Sequence, residues 1–436
     1  MAGGGPAGCA VAVGLSRLGY RVLLVHSARP WPSCEGISAR ACEGLRNAGL
    51  LHALSAVPAA SRRRVSWNGE SSDANTEHLV LRQRFDVALL EDAAAAGVQL
   101  LAGRLRRVSQ SGDNDACLHI ETPVGRMEQW TCRFMVDARG RSAAAGRDPV
   151  RGPETVSLLQ LREGPPTVAG SRVSSFAGGW AWFATTDSGL SFIQLTVTSD
   201  AQRLPKRGEL GRWFEAQLQQ LQPAPELSGR PTGDVIARGS TSILQGELVT
   251  SHSLRAGDAA MAVDPLSGNG IFQSLSSALI APAVINTLLQ YPAERDLATR
   301  FYRDRVHHSF FRFARMGRDF YRMEGRWQAS EFWRQRQAWP DDEPSHSDAA
   351  PALLGVENRP VVADGRIRLQ AVAVTSDQPL GVWHVGGVEL APLLQALPAS
   401  PAQRRAALAT RLADTCAGDA TQHALLQSWL RRYALL

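Results

Sequence analysis

The run Gly3-Gly4-Gly5-Pro6-Ala7-Gly8 constrains this chain more than any other feature. It leads into an apolar stretch of helical character from Cys9 to Leu18, a turn at Gly19-Tyr20-Arg21 and a short buried strand, Val22-Leu23-Leu24-Val25. Loop, helix and strand in this order make up most of a βαβ unit. Gly3, Gly5 and Gly8 fit G-x-G-x-x-G. The first glycine allows the tight turn, the second lets backbone approach a pyrophosphate, and the third lets the helix lie close to the strand. The helix N-terminus offers free N–H groups to phosphates. Gly3, Gly5, Pro6, Ala7 and Gly8 are therefore expected to cradle a dinucleotide. Only Met1 and Ala2 precede the loop, where a strand of about five residues is expected. This points to a native chain that begins upstream of Met1, or to another segment in that strand's place.

The 436 residues are 44% hydrophobic, enough for a large core and about two or three domains. Charged residues at 20% and aromatics at 7% exclude a disordered or collagen-like chain. The net charge is +6, yet Lys206 is the only lysine among 47 basic residues. Any mechanism that needs a catalytic lysine has one candidate. No apolar run reaches the roughly 18 residues of a membrane span, and no secretory leader pattern opens the chain. Cys9, Cys34, Cys42, Cys117, Cys132 and Cys416 form no C-x-x-C pair and no ligand-spaced cluster. Free thiols, no metal site and a cytoplasmic location are expected.

At the end of the second strand, where an acidic residue usually takes ribose hydroxyls, stands His26, expected as an adenosine-side contact. Residues 31–60 read as helices and loops, and a helix is expected from Phe85 to Ala96. Antiparallel ribbon is expected over 104–136, strands over 155–200 and 233–254, and a helix over 209–222. Gly257-Asp258 precedes a second glycine-bearing loop, Asp264-Pro265-Leu266-Ser267-Gly268-Asn269-Gly270. Long helical regions follow over 271–289 and 293–336. The second is dense in arginine and aromatic residues, and reads either as a helix with one core face or as a docking face for an acidic protein or an anionic substrate. A Pro-, Asp- and Ser-rich stretch precedes a tail of different texture, with helices expected at 387–397, 401–415 and 421–433.

Four blocks carry a family resemblance: GGGPAG from Gly3 to Gly8, LRQRFD from Leu81 to Asp86, VDARGRSA from Val136 to Ala143, and GDAAMAVDPLSGNG from Gly257 to Gly270. Over roughly residues 1–335 the chain resembles the FAD-dependent monooxygenases and their relatives, the flavin-dependent halogenases. The resemblance implies an α/β fold. An FAD-binding Rossmann-like domain (1–150, interrupted near 50–85, and 251–338) interleaves with an antiparallel-sheet substrate domain at 151–250. A linker at 339–352 and a small C-terminal helical or winged-helix domain at 353–436 complete it. It implies that Asp258 holds a ribityl hydroxyl, that Arg82 lies beside the pyrophosphate or ribityl chain, and that Asp264, Pro265, Gly268, Asn269 and Gly270 surround the flavin. Asp264, Pro265, Gly268 and Gly270 are the residues expected to act at the ring, the glycines through backbone N–H groups where negative charge develops on reduction.

Trp180-Ala181-Trp182 after Gly178-Gly179 resembles the G-W-x-W segment of the halogenase-like branch, but continues Phe183-Ala184 rather than into that branch's longer motif. The halogenases also carry a lysine between the glycine loop and the R-x-x-F-D segment, and no lysine lies between Leu50 and Arg82. Hydroxylation through a flavin C4a-hydroperoxide needs none. The combination is similar to the monooxygenases that mature quinohemoprotein amine dehydrogenase. That similarity implies an indole ring as the target, a tryptophan side chain of the small subunit, during cysteine tryptophylquinone formation. It implies a protein or peptide substrate, docking on the C-terminal domain and the 301–336 basic helix, and no nucleic acid or membrane partner. Electrons would come from NAD(P)H directly or from a separate flavin reductase. A flavin-dependent reductase or dehydrogenase of a small apolar substrate, and a non-catalytic flavin-fold binding protein, remain alternatives. No general base stands out, and His307, His308 and His384 are candidates by residue type alone.

Overall fold

Two residues stand where the first strand was expected. Met1 and Ala2 lie between Leu23–His26 and Met135–Asp137, with parallel bridges from Ala2 to Val25 and to Asp137. The N–H of Ala2 donates to the Val136 carbonyl and that of Gly3 to the Val25 carbonyl, both at 2.9 Å. Leu23–His26 pairs in parallel with Gln99–Ala102, and Met135–Asp137 with Ser253–Arg255. This is the parallel core of a Rossmann-type layer. The computed structural model describes residues 1–111, 115–199, 204–221, 229–345, 350–416 and 418–436.

The helix Pro6–Arg17 starts on a proline, whose missing N–H is no loss in a first helical turn. A Cβ on its Gly14 would fall 2.5 Å from Pro282 Cγ, so this helix and Gly270–Gln290 pack very closely. Contrary to the expectation from apolar runs, Gly270–Gln290 is long and apolar enough to cross a membrane. Its Leu275, Ala278 and Ala281 are instead fully buried in protein.

The second layer is an eight-stranded sheet. Its order runs Arg230–Gly239, Thr155–Glu163, Leu190–Thr198, Gly179–Thr185, Gly170–Phe176, Ser61–Trp67, Glu70–Leu81 and Cys34–Ile37. The strand Cys34–Ile37 corrects the reading of 31–60 as helix and loop; it is only four residues long and pairs with Leu81 to His78. All pairings are antiparallel except the parallel contact between Gly170–Phe176 and Ser61–Trp67. Strand alternation sends side chains to two faces. Val156, Leu158, Ala181, Ile193, Leu195 and Val197 pack against Leu210, Phe214 and Leu218 of the helix Leu210–Leu218. That helix was expected over 209–222, of which 222 lies outside the described residues. Val173, Trp180 and Trp182 belong to the other face.

The chain divides into two compact units, Met1–Ile285 with Tyr302–Glu343, and Asn286–Phe301 with Pro344–Leu436. In the second unit Leu353–Ala363, Arg366–Thr375 and Gln378–Val382 form an antiparallel sheet ahead of the helices Pro401–Thr415 and Ala420–Arg432. The C-terminal helices are present. The winged-helix alternative is not: the described strands all precede the two long helices. Expected helix 387–397 is a two-residue strand, Val388–Glu389, followed by the short helix Ala391–Leu394.

The helical stretch to Arg336 breaks into Arg295–Arg322 and Glu331–Ala338. Many of its arginines are internally paired, which corrects the picture of an open basic face. Arg315 meets Asp341 at 2.8 Å and Glu343 at 2.5 Å, Arg318 meets Asp319 at 2.8 Å, and Arg322 meets Asp342 at 2.9 Å. The start of the expected linker thus serves as a counter-charge strip; residues 346–349 of that linker lie outside the described residues. At the helix break, fully buried Glu324 accepts hydrogen bonds from Ser175 Oγ (2.5 Å), the Asn68 N–H (2.7 Å) and the Arg326 guanidinium (2.7 Å). Burial opposes its charge, but the bonds from Arg326, Ser175 and the two backbone N–H groups prevail and hold its carboxyl at about 2. A folded value below the unfolded one of about 4.3 gives stability that is present above that pH and lost on acidification toward 2. Glu324→Gln is expected to flatten this acid limb in denaturation curves recorded against pH; an unchanged limb would refute the assignment.

Candidate active site

Close backbone packing assembles the phosphate side. A Cβ on Gly8 would lie 1.8 Å from the Gly3 carbonyl oxygen, and one on Gly3 2.2 Å from that of Ala138. Gly5 differs: the only neighbour within 4 Å of its Cβ position is Arg82 Nη2, at 3.9 Å. The loop is therefore tight beneath and open above, as a pyrophosphate requires. Arg82 opens the helix Arg82–Ala95, three residues earlier than the expected start at Phe85. It is buried between Asp86 (2.7 Å) and Glu35. Burial opposes the Glu35 charge, while Arg82 and Arg29 outweigh it and keep that carboxyl below its ordinary range.

Gly257 brings Asp258 to the same place. Its φ is +63°, and a Cβ there would fall 2.6 Å from Ala7 Cβ. Asp258 accepts from Ser274 Oγ at 3.2 Å and faces Arg141 Nε at 3.8 Å. Burial raises its carboxyl, with Arg141 acting in the opposite sense. His26 ends its strand against Gly4, where a Cβ would be 2.7 Å from His26 Cβ, and burial lowers its ring. Residues 3–8, 82 and 258, far apart in sequence, thus line one cradle, with His26 against its loop.

The loop 264–270 forms the other end. Asp264 Oδ1 accepts the Leu266 N–H at 2.9 Å and starts the turn Pro265–Ser267. Gly268 is left-handed at φ +61°, and its N–H donates to the Pro265 carbonyl at 3.1 Å to close the turn, which corrects the expectation that this N–H serves the ring; Asn269 Nδ2 donates to the Ser267 carbonyl at 2.6 Å. Gly270 has open space at its Cβ position and opens a helix, leaving unshared N–H groups at the loop. Tyr321 Oη donates to Asp264 at 3.1 Å and accepts from Trp180 Nε1 at 3.1 Å. Burial raises the Asp264 carboxyl, opposed by Arg336, and pushes the Tyr321 hydroxyl up. This chain of bonds ties the loop to the tryptophan-bearing face of the sheet.

Tyr321, Glu35, Glu77, Arg63 and Arg141 were not singled out from sequence. Tyr321 lies within an aromatic-rich helix that offers no contrast, Arg141 stands in the block Val136 to Ala143 with no role of its own assigned, and the others lack a motif. His307 and His308 are lowered by burial and by neighbouring arginines, and His384 lies in the second unit. The buried amide atoms of Gln273 and the hydroxyls of Ser33 and Ser38 make no hydrogen bond. Gln273 follows the 264–270 loop and the serines flank the strand of Glu35, so spare polar capacity lies beside the cradle.

A dinucleotide cradle ending in a glycine loop, set against a curled antiparallel sheet with paired tryptophans, defines a flavin-dependent oxygenase of the halogenase and hydroxylase fold. The peptidyl tryptophan dihydroxylase QhpG, essential for tryptophylquinone cofactor biogenesis, is 42% identical, with a TM-score of 0.81 over 100% of this chain and 98% of that one. The flavin-dependent halogenase CmlS shares the fold, with a TM-score of 0.71 at 16% identity over 100% of this chain and 94% of its own. The tryptophan 2-halogenase of Chondromyces crocatus is 25% identical over 379 residues, 77% of this chain and 70% of the relative. A family model for lycopene cyclase proteins matches residues 1–162. The chain belongs to the QhpG family of FAD-dependent monooxygenases.

Gly8→Ala is expected to abolish retention of flavin, read from the visible absorbance of the purified protein. Tyr321→Phe should lower stability by about 1–3 kcal/mol, because Trp180 Nε1 loses its acceptor and Asp264 a donor. Thermal melting of the variant beside wild type checks this.

Proposed function

We propose that this protein uses FAD and dioxygen to hydroxylate the indole ring of a tryptophan in the small subunit of a quinohemoprotein amine dehydrogenase, during cysteine tryptophylquinone formation. The observation that carries this reading is the 42% identity to a peptidyl tryptophan dihydroxylase along the whole chain. The cofactor supplies two-electron chemistry with oxygen. The protein's part is to hold it, through 3–8, Arg82 and Asp258, to offer backbone N–H groups from the helix start at Gly270, and to keep water from the apolar sheet face.

One further observation supports the reading. Lys206 is exposed beside the short turn Arg207–Glu209, on the chain segment leading into the helix that packs on the opposite face of the sheet from Trp180. Hydroxylation needs no such lysine, whereas halogenation in the related enzymes does. Docking on the C-terminal domain and the 301–336 basic helix, electron delivery by a separate flavin reductase, and action in the cytoplasm with all six thiols free complete the proposal.

The test is a mass measurement of the precursor subunit after reaction with reduced, FAD-loaded protein under isotopically labelled dioxygen. Labelled oxygen in the tryptophan-bearing peptide is expected. A product with no labelled oxygen, or with chlorine in its isotope pattern, overturns the reading.

A further inference from the structure

One charged side chain against the 264–270 loop has no role in what precedes. Arg63 lies on Ser61–Trp67, and among the described residues a Cβ placed on Gly268 would meet only Arg63 Nη1 within 4 Å, at 3.7 Å. Its Nε is buried and makes no hydrogen bond. The nearest counter-charge, Glu77 Oε2, stands 3.9 Å from that nitrogen, beyond hydrogen-bond reach. Glu77 is itself 6% exposed and is held in place. Its Oε1 accepts from Trp182 Nε1 at 3.2 Å, and Oε2 lies where a Cβ on Gly36 would fall, 2.1 Å away. The next residue on the strand, Arg64, is occupied differently, in a two-pronged bond to Asp73. Arg141, another cation of this region, spends its guanidinium on the carbonyls of Thr241 and Val263.

We propose that Arg63 is a catalytic residue, the cation that meets the flavin beside Gly268 and favours the negative charge reduction places there, with Glu77 as the residue that positions and tempers it. Reduction brings two electrons and one proton to the ring, leaving one net negative charge, and the reductase of the proposed function supplies the electrons. A fixed cation in a site shielded from water stabilises that charge without reorganising. A carboxylate behind the cation weakens the same effect, so the two side chains act with opposite signs. Guanidinium suits the place because it stays charged when partly buried. The inference rests on the FAD-dependent reading and deepens it.

The experiment is a redox titration of FAD-loaded, full-length protein against dyes of known potential, for wild type, Arg63→Gln, Arg63→Lys and Glu77→Gln. Arg63→Gln should weaken the preference for reduced over oxidised FAD about tenfold, a midpoint about 30 mV more negative. Arg63→Lys should stay near wild type. Glu77→Gln should move the midpoint in the positive direction. A midpoint unchanged in Arg63→Gln, or a shift of the same sign in Arg63→Gln and Glu77→Gln, overturns the proposal, since loosening of the site would move both alike. Where Arg63→Gln does not retain FAD, the sign of the Glu77→Gln shift decides, and a zero or negative shift overturns it. Failure of wild type to bind FAD would sink the functional reading instead.

Discussion

Three segments far apart in sequence meet with no side chain between them. Gly8 lies on the Gly3 carbonyl, Gly3 on the Ala138 carbonyl, and Gly257 on Ala7. Each contact is closer than any Cβ permits, so each depends on glycine. The rest of the site follows from this packing. The helix Pro6–Arg17 is pinned to the parallel layer, the turn carrying Asp258 lies beside that helix, and Arg82 is left as the neighbour of the open position at Gly5. A cradle built from backbone is rigid and preserves N–H groups for an anionic ligand.

The second layer supplies what the first lacks. A sheet strand presents alternate residues to alternate faces. In Gly179–Thr185 this sends Trp180 and Trp182 one way, and Ala181 toward the packed helix Leu210–Leu218. Trp180 reaches the 264–270 loop through Tyr321 and Asp264, while Trp182 reaches Glu77 and, through it, Arg63. Both tryptophans therefore contribute apolar surface and an N–H that anchors a polar group near the loop. Charges are handled in the same manner elsewhere: Glu324 joins hairpin, sheet and helix end through donors from each.

Local chemistry made the cofactor half of the molecule legible. A glycine loop followed by helix and strand has few physical realisations, and Asp258 and the 264–270 loop stand in a block of similar character. The Trp180-Ala181-Trp182 pattern and the missing lysine also pointed toward the oxygenase side of the fold. Residues that act through distant partners were not legible. Glu35 sits on a four-residue strand too short for a periodic signal, and Arg63 is one of three consecutive arginines. The basic stretch 301–336 misled for a related reason. A count of charge along the chain does not show that Asp341, Asp342 and Glu343 fold back against it.

The amino-acid sequence alone determined the dinucleotide cradle, through residue type at short spacing, and, through family resemblance, the two-layer α/β class, the flavin loop and the meaning of a window without lysine between Leu50 and Arg82. Tertiary structure alone decided that Tyr321 holds Asp264, that Glu77 stands behind Arg63, and that the acidic strip quenches much of the basic helix. Those relations join residues between 14 and 57 positions apart, from Glu77 and Arg63 to Tyr321 and Asp264. Their energy comes from burial and directed hydrogen bonds that exist only once both layers have packed.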